Sequence, residues 1–218
     1  MQAFHYFFFH PPGIMALFTE QQILNRVRSQ NVSGLGSVNE SVKANVLLSE
    51  ARTFQNSTQG VQKIYDIFLS HSTNDAPKVA GLKLLLEDLG FSVYVDWIED
   101  PQLNRSNVTK ATAAVLKARM HSCKSLFYAF SENSSGSKWM PWELGYFDGV
   151  KQKAAVLPIK SNAQDTNEFQ GTEYLGLYHY ITVQDDMNGR RRLWVRESST
   201  KYVVYEDWLN NNQQPTQR

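Results

Sequence analysis

One cysteine, Cys123, in 218 residues excludes an intramolecular disulfide framework and every metal site built from several thiolates, and it points to a reducing, cytoplasmic setting. Long apolar runs are missing too: none approaches the roughly 18 residues that a membrane helix needs. The aromatic opening, Phe7 to Phe9 and then Ile14 to Phe18, is broken by His10, Pro11 and Pro12, and no basic residue precedes it, so it does not read as an export signal. Residues 1–18 are expected to be an uninformative leader. An excess of either charge is also lacking. The 22 Lys and Arg against 21 Asp and Glu leave a formal charge of +1, with no electrostatic footprint for nucleic acid or an anionic membrane, and neither is expected as a partner. There is no GxxxxGK(S/T), GxGxxG, HExxH or GxSxG, which removes the common phosphate, dinucleotide, zinc and serine-hydrolase signatures. His121 and His179 each stand alone, so no metal site is expected.

What is present suits a folded chain, with 42% apolar and 20% charged residues. Thr19 with Gln22, and Ser37 with Glu40, are spaced as capping boxes, and Ser33-Gly34-Leu35-Gly36 is a turn signal between them. Residues 19–62 therefore read as an N-terminal helical segment, ending in the polar stretch Gln55 to Gln62. The main domain spans 63–210. Ile64 to Leu69 is a strand pattern, followed by the loop Ser70 to Asp75 and a helix with Pro77 in its first turn and a Val79, Leu82, Leu86, Leu89 stripe ending at Gly90. A second strand, Phe91 to Val95, leads into a loop running from Asp96 to about Val108. A helix over Lys110 to His121, a strand Ser125 to Phe130, and a continuously apolar strand Ala154 to Ile159 follow. Strands alternating with helices predict right-handed crossovers and an α/β fold with a central parallel sheet flanked by helices. Tyr178 to Val183 and Leu193 to Val195 flank Asn188-Gly189, a hairpin signal, and Tyr205 to Leu209 reads as a closing helix. Residues 211–218 are expected to be a disordered tail.

The informative segment is Ser137 to Gly149. Pro141 and the serines before it predict a helix start near Lys138 to Pro141, which places Glu143 in the first turn, where the dipole favours a carboxylate. Trp139 lies four residues earlier and shares its face if already helical. An acid among two tryptophans and two further aromatics must be solvated, paired or used. From spacing alone, a carboxylate that merely caps the helix while the tryptophans pack stands level with a functional one. Asp148 points away from Glu143, so the two are not an acid/base pair. In a sheet of order 2-1-3-4-5, ligands sit where the order reverses, between the loops that begin at Ser70 and at Ser131.

Three stretches carry a family resemblance: Tyr65-Asp66-Ile67-Phe68-Leu69-Ser70-His71, Gly90-Phe91-Ser92-Val93-Tyr94-Val95-Asp96, and Ser137-Lys138-Trp139 through Trp142-Glu143-Leu144. In this order they resemble a bacterial Toll/interleukin-1 receptor (TIR) domain, over Ile64 to Lys160. The resemblance implies a flavodoxin-like fold and cleavage of the nicotinamide–ribose bond of NAD, giving ADP-ribose or a cyclic isomer, in bacterial antiphage signalling. It implies Glu143 as the catalytic acid, Trp139, Ser70 and His71 at the nucleotide, and Asp96 and Trp97 in the loop that borders it. It further implies NAD as substrate with no cofactor, self-association through TIR contacts, and an upstream activator or downstream effector protein. A non-catalytic TIR adaptor and a nucleoside deoxyribosyltransferase-like enzyme are the alternatives. Where many relatives carry a glycine step in the second loop, this chain has Asn104-Arg105-Ser106-Asn107.

Overall fold

A computed structural model describes residues 16–29, 63–99, 109–161 and 168–218. β1 (Phe18–Thr19) and α1 (Glu20–Arg28) come first, then β2 (Tyr65–Ser70), α2 (Ala76–Asp88), β3 (Val93–Tyr94) and the short α3 (Asp96–Glu99). α4 (Lys110–His121), β4 (Cys123–Phe130), α5 (Trp139–Lys151) and β5 (Ala154–Lys160) follow. The chain closes with β6 (Tyr180–Asp185), β7 (Arg191–Arg196), β8 (Lys201–Val204), α6 (Tyr205–Asn210) and β9 (Thr216–Gln217).

β2 lies one strand in from the β3 edge: β3 and β4 pair with it on either side, β5 with β4, and β6 with β5, all parallel. Counted from β2 this is the order 2-1-3-4-5, so the flavodoxin-like expectation holds and the sheet reverses direction of build between β2 and β4. All seven residues of β5 are buried, which explains its unbroken apolar run. β3 is shorter than the expected Phe91 to Val95. Ser92 instead bonds sideways to Asp66, its hydroxyl donating to Oδ2 at 2.8 Å.

Two apolar layers cover the two faces. On one, Ile23 and Val27 of α1, Val79, Leu82 and Leu86 of α2, and Trp208 of α6 pack with Ile67, Leu69 and Phe127. On the other, Leu116 and Met120 of α4 and Met140, Leu144 and Phe147 of α5 pack with Phe68 and Tyr128. The Thr19–Gln22 capping box forms, each backbone N–H donating to the other side chain at 3.2 Å. α1 lies directly on α2, where Gly81 leaves room for Ile23 and Arg26 donates twice to Asp88, at 2.6 and 2.9 Å. The expected second helix near Ser37 to Glu40 lies outside the described residues.

Three expectations at the edges give way. Leu17 and Phe18, assigned to an uninformative leader, are buried, and β1 pairs parallel with Ile159 and Lys160 of β5. Residues 211–218, assigned to a disordered tail, include β9, which pairs antiparallel with β8. In each case the short segment pairs with backbone groups that the neighbouring strand leaves free, at the end of β5 beyond its register pair with β6 and along the outer side of β8, and side-chain pattern does not report this. The β6–β7 hairpin forms, but through a five-residue connection rather than a two-residue Asn-Gly turn. Asp186 organises it, with Oδ1 accepting from the N–H groups of Asn188 and Arg190 at 2.9 and 3.0 Å, while Gly189 supplies φ +74°.

Candidate functional site

The carboxyl ends of β2 and β4 open the crevice of the sheet, and Ser70 at the end of β2 stands in register with Tyr128. Across from them runs α5, whose buried face carries Trp139, Met140, Glu143, Leu144 and Phe147. The helix begins at Trp139, so Glu143 is its fifth residue and lies in the second turn, not the first as the sequence suggests. Pro141 is tolerated inside the first turn because the N–H it lacks has no partner there in any helix. Trp139 and Glu143 thus share a face, but the helix dipole is not what holds the acid. The Ser70 hydroxyl is: it donates to Glu143 Oε2 at 2.6 Å, and both residues are 0% exposed.

His71 and Asp96 also meet. Leu69's carbonyl accepts from His71 Nδ1 at 2.8 Å, and His71 Nε2 lies 3.5 Å from Asp96 Oδ1, both side chains buried. A carbonyl only accepts, so the Nδ1 proton is assigned and the ring is oriented. This contact ties the β2 loop to α3. Trp97 contributes backbone to α3; its side chain, and residues 100–108 of the same loop, lie outside the described residues.

Trp139 is 7% exposed and meets Trp142 edge-on, ring centroids 5.3 Å apart, and Trp142 stacks on Tyr146 at 5.7 Å. The aromatic wall is therefore a ladder along α5 rather than a single ring. Asp148 is directed elsewhere and accepts from the Tyr178 hydroxyl at 3.4 Å.

Two neighbours escaped the sequence reading. Asp75, buried at the start of α2, accepts from Ser131 Oγ at 2.5 Å and Asn133 Nδ2 at 2.7 Å, clasping the loop after β2 to the loop after β4, with Lys78 Nζ at 3.4 Å. Tyr128 reads in sequence only as a core position of a strand. Burial, then Tyr174 beside it and the Glu143 charge, push its phenol well above the ordinary tyrosine range, so it stays protonated; the Ser134 hydroxyl is also within its reach. The usable signal for Tyr128 was its register with Ser70, which needs the strand order. Among the described residues no three His, Cys, Asp or Glu side chains come together as metal ligands, and no helix is long and apolar enough to cross a membrane.

A parallel sheet of this order with an acid at its reversal point is an α/β ligand-binding architecture of the TIR kind. The TIR domain model matches residues 67–194, and the chain belongs to the TIR domain family. It is 50% identical over 200 residues to a protein of Bacillus cereus (strain MSX-D12) named "Probable 3' cyclic ADP-D-ribose synthase ThsB'", covering 91% of this chain and 100% of that one. It is 35% identical over 86 residues to "Putative cyclic ADP-D-ribose synthase TIR2" of Cytobacillus dafuensis, covering 39% of this chain and 23% of that one.

Proposed function

We propose that this TIR-domain protein cleaves NAD at the nicotinamide–ribose bond and closes the remainder into a cyclic ADP-ribose, acting as a signalling enzyme in bacterial antiphage defence. The observation that carries the reading is the Ser70–Glu143 pair at the reversal point of the sheet. Support for the product comes from the relative named as a cyclic ADP-ribose synthase, similar over 91% of this chain.

The chemistry suits one acid. Nicotinamide in NAD is a cationic leaving group and departs neutral, so no proton donor is required. Positive charge develops on the ribose, and a carboxylate already stripped of water and aimed by Ser70 stabilises it without reorganising. Trp139 forms a ring wall against which a nicotinamide or adenine can stack. NAD enters as substrate, and the step needs no further cofactor.

Because Glu143 is 0% exposed, a dinucleotide reaches it only when covering side chains move aside. This favours an enzyme that is quiet as a single chain and active on self-association. The adaptor and deoxyribosyltransferase readings gain nothing from relatives named as synthases.

The test is to incubate the full chain, across concentrations that drive self-association, with NAD and to follow free nicotinamide. Wild type releases it together with a product one water lighter than ADP-ribose. Glu143→Gln lowers release by about 100-fold or more. Equal release from both proteins rejects the assignment.

A further inference from the structure

Opposite its turn, the β6–β7 hairpin ends in a cavity of about 260 Å³ whose lining includes Glu168, Phe169, Tyr178, Tyr180 and Glu197. Neither Ser70 nor Glu143 lines it. Register places it along the same row of the sheet: Ser70 pairs with Tyr128, Tyr128 with Val156, and Val156 with Tyr180, three strand spacings or roughly 14 Å away. Tyr180 forms the floor. It is 2% exposed, and its hydroxyl makes no hydrogen bond to any described residue. A buried polar group left unpaired is costly, and phenylalanine fills the same space without that cost, so the hydroxyl calls for a partner from outside the fold.

The surroundings define the charge of that partner. Arg196, the register partner of Tyr180, is committed elsewhere: Nε donates to Thr182 Oγ1 at 2.9 Å, Nη1 to the Ser199 carbonyl at 3.0 Å and Nη2 to Gln184 Oε1 at 2.8 Å. Burial holds the Tyr180 phenol above the ordinary tyrosine range; Arg196 works against this and Glu168 with it, and the phenol keeps its proton. Phe169 and Tyr178 are half-buried walls. The Phe169 ring lies 6.0 Å from that of Tyr180, and the Tyr178 hydroxyl is occupied by Asp148. Glu168 and Glu197 are exposed at the mouth. The Ser199 N–H donates to Glu168 Oε1 at 3.2 Å and fixes that carboxylate. Glu197 meets Lys201 at 3.0 Å in a pair about half exposed on both sides, which an incoming cation exchanges at little cost. Carboxylates and ring faces repel an anion and attract a cation.

The cavity is smaller than the roughly 300–1,000 Å³ that encloses a whole small molecule, so it takes a group of side-chain size. Among cations of that size, guanidinium is flat enough to stack on a ring while its forked donors reach carboxylate and hydroxyl oxygens together. We propose that this cavity binds a guanidinium group, stacked against the Phe169 and Tyr178 rings and donating to the Tyr180 oxygen, Glu168 and Glu197. A free guanidine and an arginine of a second copy share this chemistry. Arg190, exposed at the turn of the same hairpin, is the arginine that a second copy presents. Turn and cavity lie at opposite ends of the hairpin, so one chain does not fill its own cavity this way. The binding step does not depend on NAD.

The test titrates the full chain with ethylguanidinium, followed by ligand-observed NMR, and with ethylurea as the uncharged isostere. Circular dichroism and melting temperature check the fold. Ethylguanidinium should bind with Kd on the order of 1 mM, the affinity expected of a few heavy atoms, and ethylurea about tenfold more weakly. Tyr180→Phe should weaken binding by about tenfold and leave the melting temperature equal or higher, because the hydroxyl has no partner until the cation arrives. Glu168→Gln and Glu197→Gln should each weaken it by about fivefold. Sedimentation of wild type and Arg190→Gln identifies the source. Self-association reduced both by the substitution and by ethylguanidinium assigns the group to a second copy; self-association indifferent to both, with the probe still bound, assigns it to a free guanidine. Absent binding, equal binding of ethylurea, or a Tyr180→Phe variant with lower melting temperature and unchanged affinity overturns the proposal. Displacement of the probe by NAD also overturns it, by merging the cavity with the dinucleotide cleft.

Discussion

Changing Ser70 to Ala removes one oxygen, the donor that sits 2.6 Å from Glu143 Oε2 in a place with no solvent to replace it. A hydrogen bond to a charged group contributes about 1.5–3 kcal/mol, and leaving a buried acceptor without it costs a similar amount. If the bond aims the carboxylate at the developing cation, that energy converts to roughly a 10- to 150-fold fall in nicotinamide release. The same loss should appear in thermal unfolding, as a drop of roughly 3–12 °C for a chain of this size. A double-mutant cycle separates aiming from general damage. In the Glu143→Gln background the acceptor is neutral and the bond is worth only about 0.5–1.5 kcal/mol, so Ser70→Ala should cost less there. The reasoning is refuted if Ser70→Ala lowers release equally in both backgrounds, or changes neither rate nor melting temperature.

Asp75→Ala cuts both ties from Ser131 and Asn133, so the two crevice loops should loosen. We expect KM for NAD to rise more than kcat falls, with stability lower by about 3 kcal/mol and partial recovery in Asp75→Asn, as read by kinetics and urea unfolding. Gly81→Ala drives a Cβ to 2.3 Å from the Ile23 carbonyl oxygen. It should destabilise by about 1–3 kcal/mol and expose α1 to limited proteolysis, and an unchanged melting temperature would count against the close approach. For Asp66, burial works against the charge, but hydrogen bonds from Lys124 and Ser92 prevail and hold its carboxyl below the ordinary value. A lowered folded value stabilises above the unfolded carboxylate pKa of about 3.9 and is lost as pH falls through the folded one. Asp66→Asn should therefore be less stable than wild type at neutral pH, and the gap should close as the pH is lowered below the unfolded carboxylate value and through the folded one; a pH-independent gap would defeat the linkage.

Much of the scaffold was legible from local pattern. The α4 range, the Thr19 capping box, the helix stop at Gly90 and the doubly buried β5 all follow from interactions within a few residues of each other, and the structure repeats them. Trp139 and Glu143 could be placed on one face because four residues is about one helical turn. The helix start could not be placed as well. Lys138 already has helical backbone angles, and the capping bond comes from one residue earlier, where the Ser137 hydroxyl accepts from the Met140 N–H at 3.3 Å, so the first turn begins earlier than Pro141 suggests.

The residues alone thus determined the alternation of β2 to β5 with α2, α4 and α5, the acid among the aromatic side chains of α5, and the direction of Asp148 away from it. Tertiary structure alone decided what holds that acid. Ser70 and Glu143 are 73 positions apart, Asp75 and Ser131 are 56, and neither pairing leaves a periodic trace, because a single hydrogen bond constrains two side chains and not the spacing between them. The register that sets Ser70 beside Tyr128 belongs to the same class of information, because the chain acquires it only when the sheet closes around its core.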